Sequence, residues 1–564
     1  MVSRRELMQA GLAASALLAG SGLGAGRAFA QQKLTQADIL RFEPMGNVTL
    51  MHVADIHAQL VPTFFREPAI NLGVGEAKGR VPHITGRDFL DLYKIPAGSP
   101  MAYALTSEDF AALAKNYGRM GGLDRLATVI KAIRAERGDN RCLLLDCGDT
   151  WTNSWTSLQT NAQDIVECMN LLKPDAMTGH WEFTLGAERV EQITKGLAFP
   201  FLAQNIRDTE FEDKVFEPRK MFAKGGVTIA VIGQAYPYTP VANPRWMFPK
   251  WAFGLREDEL QKQVDEARSE GADLVVLLSH NGFDIDHKMA GRVKGIDVIL
   301  TSHTHDALPE PVRVGQTLLI ATGAYGKFIS RLDLDVREKR VQGFRHRLIP
   351  IFADVIAPDA EMAALIARHR APYEKDLSRV LGRTEGLLYR RGNFQGSLDD
   401  VFTDAMLEVR DAEIALSPGV RWGASLVPGQ AITFEDITNA SAMTYAQCYR
   451  TTMKGAMLKT ILEDIGDNIF HPDPYYQGGG DMVRVGGMGF TVNPFGTMGN
   501  RISNMTHLKT GAPIEANRDY VVAGWASINE GTQGPPIWDV VSQYLANKKT
   551  ITPRAESAVK VVGI

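Results

Sequence analysis

Apolar residues follow two different spacings between about residue 47 and residue 355. Short continuous apolar runs, typical of buried strands, alternate with segments in which apolar residues return every three or four positions, as in helices. Because strands and helices alternate, we predict a layered α/β domain. The predicted strands are Val48–Asp55, Cys142–Asp146, Phe199–Ala203, Val227–Gln234, Asp273–Ser279, Ile296–Thr301, Thr317–Thr322 and Ile329–Val336, and the clearest predicted helices are Gly121–Gly138 and Arg256–Gly271.

One connection in this region is much longer than the others. Residues 60–120 separate the first strand from the helix at Gly121, and a loop of this length in a compact domain is usually functional. The segment includes a predicted helix at Tyr103–Lys115. We interpret it as a lid or a partner-facing insertion.

The pattern changes after residue 355. Ala357–Leu377 is a charged, helical segment interrupted by Pro372, and it predicts an inter-domain linker over residues 356–383. Beyond it the strands are short, and helices are predicted at Leu398–Arg410 and Lys454–Ile465. We therefore expect a catalytic α/β domain over residues 31–355 and a second, substrate-binding α+β domain over residues 384–564.

The N-terminus has the features of an export signal. Paired arginines at positions 4 and 5 precede an apolar Leu7–Gly26 segment and the small-residue sequence Ala28-Phe29-Ala30. This order predicts a twin-arginine signal peptide over residues 1–30, so the mature protein is expected to be periplasmic and exported already folded. No later run approaches the roughly 20 apolar residues that a membrane span needs.

Composition narrows the functional classes only slightly. The chain has 564 residues, a net charge of −4 and 22% charged residues, which gives no reason to expect nucleic-acid binding. Its four cysteines are too few for a disulfide scaffold. Cys142 and Cys147 are expected on opposite faces of one strand. Cys147 is also a candidate to line a site, because it precedes Asp149 by two residues.

The chemistry is concentrated at strand ends. In an extended backbone, Asp55 and His57 would point to the same side. Any one strand-end cluster has a structural explanation, but five of the twelve histidines fall beside strand ends of one domain. Seven nitrogen and oxygen ligands without a thiolate suit two divalent ions that share one carboxylate, for which Asp149 is the candidate. The clusters are Asp55-x-His57, Gly148-Asp149, Gly179-His180-Trp181-Glu182, Ser279-His280-Asn281 and His303-Thr304-His305-Asp306.

The order of these clusters resembles that of the calcineurin-like metallophosphoesterases. In the second half, Ser417–Arg421, Pro428–Thr433, Thr452–Gly455 and Leu458–Glu463 are similar to the C-terminal domain of periplasmic 5′-nucleotidases. The resemblance implies an N-terminal layered α/β-sandwich domain of the metallophosphoesterase type and a C-terminal α+β domain of the 5′-nucleotidase type. It also implies the metal ligands Asp55, His57, Asp149, His180, His280, His303 and His305.

The third cluster departs from the nucleotidase pattern, which is Gly-Asn-His-Glu. Here His180 takes the position of the amide ligand, and Trp181 takes that of the catalytic imidazole, although an indole is neither an acid nor a base. Together with Tyr475–Gly487, this combination resembles the SoxB-type thiosulfohydrolases of bacterial thiosulfate oxidation.

That resemblance implies a periplasmic enzyme with two manganese ions, although such ligands also accept zinc or iron. Its substrate would be a cysteine S-thiosulfonate on the swinging arm of a carrier protein of the SoxYZ type. Metal-bound hydroxide would attack the terminal sulfonate and release sulfate. A persulfide leaves more readily than an alkoxide, so this reaction tolerates the loss of the imidazole.

Four arginines of the second domain are candidates for the substrate anion, because guanidinium groups pair well with oxyanions. Arg421 matches a substrate-binding element of the family, Arg391 matches less well, and Arg390 and Arg484 are further candidates. Each could instead form a surface ion pair. Gly478–Gly480 could be a simple turn or a loop that faces a peptide arm.

Two alternatives to the thiosulfohydrolase remain open. The chain could be a 5′-nucleotidase or another phosphoesterase, or it could be a metal-dependent binding protein without activity. Seven intact ligand positions argue against the second alternative. Hydrolysis of 5′-AMP, compared with sulfate release from a loaded carrier, separates the three.

Overall fold

The computed structural model describes residues 34–564, so the predicted signal peptide at residues 1–30 lies outside the described residues. Within residues 34–564, no helix combines the length and the apolar composition that crossing a membrane requires. The chain forms an N-terminal α/β domain followed by a C-terminal α+β domain. The predicted fold class is therefore confirmed.

The N-terminal domain contains thirteen strands and eleven α-helices in the part of the chain that the structure describes. The strands are β1 (Val48–Val53), β2 (Cys142–Asp146), β3 (Ala176–Met177), β4 (Ile206–Asp208), β5 (Arg219–Lys224), β6 (Val227–Gln234), β7 (Trp251–Phe253), β8 (Leu274–Ser279), β9 (Val298–Thr301), β10 (Val312–Val314), β11 (Thr317–Ala321), β12 (Phe328–Arg337) and β13 (Arg340–Pro350). The helices are α1 (Gln36–Leu40), α2 (Gly86–Tyr93), α3 (Pro100–Leu105), α4 (Phe110–Tyr117), α5 (Leu123–Arg137), α6 (Trp155–Thr160), α7 (Gln163–Leu172), α8 (Ala187–Gly196), α9 (Thr239–Ala242), α10 (Glu257–Ser269) and α11 (Phe283–Arg292).

Most of these strands belong to two mixed sheets. The first has the order β13-β12-β1-β2-β3, with β1, β2 and β3 parallel. The second has the order β10-β11-β9-β8-β6-β5, with β11, β9, β8 and β6 parallel. Strands covered on both faces are apolar throughout rather than alternating, and β1, β2 and β8 are buried along their whole length.

The two sheets stack face to face. Leu50 of β1 and Leu145 of β2 share one buried cluster with Val231 of β6 and Val276 of β8. The opposite faces pack against helices such as α5, whose Leu126 and Ile130 are buried. This arrangement is the predicted layered sandwich, and it brings the carboxyl ends of both sets of parallel strands to one side of the domain.

Two predicted elements are wrong in detail. Phe199–Ala203 is not a strand. Its backbone bonds first to Met177 and then to Glu217, which lie on different segments, so it forms no continuous ladder. The helix predicted at Tyr103–Lys115 is divided into α3 and α4, and Asp109 between them adopts a left-handed φ of 49°.

The C-terminal domain begins after a helical segment that is interrupted near Pro372, within the range predicted as a linker. Three small sheets of order β16-β14-β22, β17-β21-β15-β18 and β20-β19-β23 surround its helices. The strands are β14 (Val380–Thr384), β15 (Ile414–Ser417), β16 (Ala431–Thr433), β17 (Cys448–Lys454), β18 (Arg484–Gly486), β19 (Met488–Val492), β20 (Ile502–His507), β21 (Asp519–Trp525), β22 (Thr550–Ile551) and β23 (Val559–Val561). The helices, including those of the linker, are α12 (Ala360–Arg370), α13 (Glu374–Leu377), α14 (Ser397–Val409), α15 (Phe434–Thr438), α16 (Gly455–Ile469) and α17 (Ile537–Lys548).

The long insertion at residues 60–120 contacts both domains. Phe64 forms a β-bridge with Ser425, and the Arg66 guanidinium lies 4.2 Å from the centre of the Tyr389 ring. On the other side, Glu67 pairs with the buried Lys327 of the N-terminal domain at 2.7 Å. The insertion therefore connects the two domains and contributes to the interface between them.

Candidate metal centre

Five loops carry the predicted metal ligands to the same side of the N-terminal domain. Each loop follows a parallel strand, and side chains at the carboxyl ends of such strands commonly form the functional site of an α/β fold. The ligands are Asp55 and His57 after β1, Asp149 after β2, His180 after β3, His280 after β8, and His303 and His305 after β9.

Backbone bonds hold the first two loops side by side. Parallel pairing sets Val53 of β1 beside Asp146 of β2. Beyond the strands, the amide of Asp55 donates to the carbonyl of Gly148 at 2.9 Å, and the amide of His57 donates to that of Asp149 at 2.8 Å. The register of two apolar strands therefore determines where these ligands meet.

Most of the ligands occupy left-handed backbone conformations. The φ angle is 51° at Asp55 and at His57, 55° at Asp149, 74° at His303 and 59° at His305. Residues with a Cβ rarely adopt this region, and such residues concentrate at functional sites. The prediction that an extended strand aligns Asp55 with His57 is wrong in its cause: β1 ends at Val53, and tight turns bring the two side chains together.

The seven side chains form two groups that share Asp149. One group is Asp149, His180, His280 and His303, and the other is Asp55, His57, Asp149 and His305. Within each group one ligand atom from every residue lies within 4.8 Å of the others, and all seven residues are buried. The two oxygens of Asp149 face different partners, with Oδ1 3.3 Å from His180 Nδ1 and Oδ2 3.1 Å from His280 Nε2.

The donor atoms fit divalent cations. His180 Nδ1, His280 Nε2 and Asp55 Oδ2 are buried without a hydrogen-bond partner, as are both ring nitrogens of His303. Nε2 of His57 faces Nε2 of His305 at 3.0 Å. Buried polar atoms left unpaired are costly, and a cation between them would satisfy several at once. Imidazole and carboxylate donors without thiolates suit manganese, zinc or iron.

Outer contacts fix the orientation of three imidazoles. His57 Nδ1 lies 3.0 Å from Asn153 Oδ1, and His180 Nε2 lies 3.1 Å from Asn243 Oδ1. His280 Nδ1 lies 2.6 Å from the carbonyl of Cys147. In each ring one nitrogen is engaged by an acceptor, so the other is free to bind a metal. Asn153 and Asn243 carry no signal in the sequence, because each is an ordinary loop asparagine until the fold brings it beside a histidine.

Glu182 has a positional role. Its buried carboxylate accepts hydrogen bonds from the backbone amides of Thr150 at 2.6 Å, His180 at 2.8 Å and Asp149 at 3.2 Å. It therefore binds the loop after β2 to the loop after β3. Its place at the end of the third cluster was the available sequence signal.

The electrostatics of the site favour a cation. Burial lowers the pKa of His57 to about 4 and lowers the pKa of His303 and of His305 well below the ordinary value. These rings are therefore neutral at neutral pH, which is the form that binds metals. Burial lowers the pKa of His280, but the Asp149 and Asp55 carboxylates and the Cys147 carbonyl together raise it to about 10. The carboxylates of the site therefore favour positive charge.

Trp181 lies beside the shared carboxylate. Its backbone amide donates to Asp149 Oδ1 at 2.7 Å, and its ring centre is 5.6 Å from that of His180. The indole stacks parallel to Tyr445 at 6.2 Å and meets the edge of Trp422 at 6.1 Å. An aromatic wall therefore stands beside the first metal group.

Two of the candidate arginines contact the ligand loops. Arg421 donates to the carbonyl of Gly480 at 2.8 Å and to the carbonyl of His303 at 3.3 Å. Arg391 donates to the carbonyl of Thr304 at 2.9 Å, and its buried Nε has no partner. Both guanidinium groups thus lie next to the loop that follows β9.

The other two arginines lie deeper in the C-terminal domain. Arg390 and Arg484 are almost fully buried, and both face Asp399, at 2.8 and 3.3 Å. Arg484 also pairs with Asp481 at 3.2 Å, and the opposite oxygen of Asp481 lies 3.7 Å from Arg421. The structure thus places Arg484 behind Arg421, whereas the sequence-based prediction placed it in contact with the substrate.

A cavity opens beside His303. Three parts of the chain line it: the insertion with Leu72, the loops after β8 and β9 with Asn281, and the C-terminal domain with Arg421, Gly479 and Gly480. A Cβ on Gly479 would overlap Nε2 of His303, and its φ is 68°. This position therefore requires glycine, because the loop passes directly over a candidate ligand.

The Cys147 side chain does not reach the ligands. It lies in the cluster between the two sheets, and its thiol donates to the carbonyl of Leu300 at 3.2 Å. Cys142 lies in the other cluster, so the predicted opposite orientation is confirmed. Cys147 contributes only its carbonyl, which holds His280.

Comparison with known proteins relates both halves of the chain to one superfamily. Residues 380–543 match the family model of the 5′-nucleotidase C-terminal domain. The chain is 25% identical to the 5′-nucleotidase of Bos taurus over 522 residues, covering 81% of this chain and 88% of the bovine protein. Human 5′-nucleotidase is also 25% identical, over 523 residues, with the same coverage.

Solved structures agree with this fold. The Thermus thermophilus sulfate thiohydrolase SoxB, in complex with glycerol, superposes with a TM-score of 0.89 and 37% identity, covering 93% of this chain and 98% of that chain. A 5′-nucleotidase precursor from Thermus thermophilus superposes with a TM-score of 0.72 and 20% identity, covering 92% of this chain and 100% of that one. The second likeness establishes the fold alone.

Proposed function

This chain belongs to the SoxB family, a branch of the calcineurin-like metallophosphoesterase and 5′-nucleotidase superfamily, and from that premise we propose that it is a thiosulfohydrolase. It would hydrolyse the terminal sulfonate from a cysteine S-thiosulfonate on a carrier protein and release sulfate. The observation that carries the proposal is Trp181, whose backbone amide donates to Asp149 and whose indole lies beside His180, at the sequence position where a nucleotidase of this pattern has an imidazole.

We propose that the two groups of ligands hold two manganese ions, with zinc or iron as alternatives. Asp149 would belong to both sites, because its Oδ1 lies 3.3 Å from His180 Nδ1 of one group and its Oδ2 lies 4.0 Å from His57 Nε2 of the other. When bound, the ions would supply Lewis-acid activation of the attacking water and would neutralise charge on the oxyanion. Diffraction at the manganese absorption edge, with elemental analysis, tests the number and identity of the ions.

Arg421 is proposed to bind the sulfonate. It lies on the cavity beside His303, and its planar guanidinium can present two donors to a tetrahedral anion. Arg391 would assist, because it lies next to the loop after β9 and donates to the Thr304 carbonyl there. We assign Arg484 a positioning role, because it holds Asp481 and Asp481 faces Arg421.

Trp181 would act by shape and by exclusion of water. Its indole cannot give a proton to a leaving group. A persulfide has a low enough pKa to leave without a general acid, whereas the alkoxide of a phosphate ester gains much from one. The aromatic wall of Trp181, Trp422 and Tyr445 would therefore favour a sulfur leaving group over a nucleoside.

The cavity suits a substrate that arrives on a flexible arm. It has walls from the insertion, the loops after β8 and β9 and the C-terminal domain, so an extended peptide would contact backbone on several sides. We propose a SoxYZ-type carrier as the partner. Contacts along the arm would orient the sulfonate, and free thiosulfate lacks them.

We also propose where the protein acts in the cell and which function each domain has. The signal sequence at residues 1–30 would direct twin-arginine export to the periplasm. Residues 31–355 would form the catalytic domain, residues 356–383 the linker and residues 384–564 the substrate-binding domain. The linker position is supported by the helices from Ala360 to Leu377.

A 5′-nucleotidase remains the second candidate, because the curated relatives named above are 5′-nucleotidases. The manganese-loaded protein should be assayed with a thiosulfonate-loaded carrier, with free thiosulfate and with 5′-AMP at matched concentrations. We expect sulfate from the carrier, at least about 100-fold less sulfate from thiosulfate, and negligible phosphate from AMP.

Comparable rates of sulfate release from the loaded carrier and from free thiosulfate would show that the carrier arm is not needed for recognition. Turnover of AMP without sulfate release would replace the thiosulfohydrolase by the nucleotidase. Bound metal without any turnover would favour a binding protein.

A further inference from the structure

Tyr236 stands against the candidate metal site, although none of the predicted clusters includes it. It follows β6, the neighbour of β8 in the second sheet, and its amide donates to the carbonyl of Gly179 at 3.2 Å. Its ring centre is 4.1 Å from that of His180 and 4.2 Å from that of His303, where the two rings are nearly parallel. The phenol ring therefore covers two ligands of one group.

The hydroxyl of Tyr236 is buried and has no hydrogen-bond partner. Other buried tyrosines nearby are satisfied: the Tyr325 hydroxyl accepts from the Gly423 amide at 2.6 Å, and the Tyr445 hydroxyl accepts from Asn243 at 3.1 Å. A buried hydroxyl without a partner is unusual in folded proteins and calls for an explanation. A ligand that accepts a hydrogen bond at this point would provide one.

Arg421 is the charged group that most affects this hydroxyl. Burial raises the pKa of Tyr236, and the positive charge of Arg421 acts in the opposite direction. The Tyr236 ring stacks on that of His303, and Arg421 donates to the His303 carbonyl, so both side chains lie beside this ligand. A neutral donor and a charged donor beside one ligand are suited to an oxyanion.

We propose that the Tyr236 hydroxyl donates a hydrogen bond to a sulfonate oxygen of the substrate and to the sulfate product. A phenol has an ordinary pKa of about 10, so it is a neutral donor at neutral pH. No proton is transferred: the hydroxyl keeps its hydrogen and stabilises the charge that grows on the oxygen during attack. This inference rests on the proposed function, because it names a residue that contacts that substrate.

Tyr236→Phe tests the inference, because it keeps the ring over His180 and His303 and removes only the hydroxyl. The binding of inorganic sulfate to the manganese-loaded protein should be measured by calorimetry, together with kcat and KM for the loaded carrier. We expect about tenfold weaker sulfate binding and a fall of about 10- to 100-fold in kcat/KM, most of it in kcat. Metal content and melting temperature should not decrease.

Tyr520→Phe is the matched control. Tyr520 is also buried, but its hydroxyl accepts from the Glu515 amide within the C-terminal domain. Sulfate binding and kcat/KM should be unchanged in this variant.

Unchanged sulfate binding and kcat/KM in Tyr236→Phe would overturn the inference, and so would a loss explained by lost metal. Failure of the proposed function is recognised separately: the wild-type protein would then release no sulfate from the carrier, whatever the variant does.

Discussion

Two regions of the molecule face each other across the candidate site. The ligand loops, which follow β1, β2, β3, β8 and β9, supply carboxylates and imidazoles from the N-terminal domain. The arginine cluster, formed by Arg390, Arg391, Arg421 and Arg484, supplies positive charge from the C-terminal domain. Each ligand loop is held by the strand before it, whereas Arg390, Arg421 and Arg484 are held by two shared acidic partners, Asp399 and Asp481.

This difference explains which functional residues could be predicted from the sequence pattern. All the residues predicted as ligands on the loops meet, because parallel strands deliver their carboxyl ends to one place. In the arginine cluster, only Arg391 and Arg421 contact the loops, and the other two are buried behind them. The presence of an arginine is therefore weaker evidence of contact with a ligand than the presence of a metal-binding residue type at the end of a parallel strand. Five experiments test this contrast.

The largest expected effect comes from breaking the ligand loops at the residue that both groups share. Asp149→Ala should release both ions and lower sulfate release by about 1,000-fold or more, because Lewis-acid catalysis is worth several kcal/mol. Elemental analysis and the carrier assay measure the two effects. The control is Asp335→Ala, which removes only a carboxylate paired with the exposed Arg337. Full retention of both ions by the Asp149 variant would end the assignment of this residue as a shared ligand.

The arginine cluster is broken at its contact point by Arg421→Ala. We expect kcat/KM for the carrier to fall about 100- to 1,000-fold, as when one donor to a developing oxyanion is removed, with metal content unchanged. Arg421→Lys keeps the charge but loses the planar pair of donors, so it should restore only part of the activity. A fully active Arg421→Ala protein would show that the sulfonate binds elsewhere.

Arg484→Met tests whether Arg484 stabilises the arginine cluster or contacts the substrate itself. Removing one partner of a buried ion pair typically costs about 3–5 kcal/mol, and here Asp399 and Asp481 would each lose one of their two arginine partners. We therefore expect a clear fall in melting temperature, measured by calorimetry. Once the folded fraction is taken into account, the loss of activity should be smaller than that of Arg421→Ala. A normal melting temperature with lost sulfate affinity would instead place Arg484 in contact with the substrate.

Gly479→Ala perturbs the point where the two regions touch. The new Cβ would overlap Nε2 of His303, so the loop or the imidazole must move. Displacements of about 1 Å can cost up to about 100-fold in rate, and we expect a loss of this order in sulfate release. Gly511→Ala is the control, because Gly511 has nearly the same φ, 71°, but open space around its Cβ. Equal effects of the two substitutions would show that backbone strain alone matters.

The smallest predicted effect is a gain. Trp181→His returns an imidazole to a position beside Asp149 and His180. Phosphatase activity on 5′-AMP should rise about tenfold, less than the roughly 100- to 10,000-fold that a well-positioned general acid contributes, while sulfate release should not improve. Trp181→Phe is the control, since it changes the wall without adding an acid. If both variants leave both activities unchanged, Trp181 does not face the reacting groups.

The sequence by itself determined the layered fold and the set of candidate ligands. Continuous apolar runs such as β2 and β8 suit doubly covered strands, so their ends and the residues that follow them were predictable. The Gly179–Glu182 box also separated this chain from the nucleotidase pattern through one residue, Trp181. Each of these features depends on residues that are close together in the chain, so the sequence alone displays them.

Only the tertiary structure decided the rest. It showed that left-handed turns, and not an extended strand, bring Asp55 and His57 together. It divided the arginines into two that touch the loops and two that lie behind them, and it brought Asn153, Asn243 and Tyr236 against the histidines. These contacts join residues far apart in the chain, and their geometry depends on how the sheets and the two domains pack. No spacing in the sequence encodes that packing.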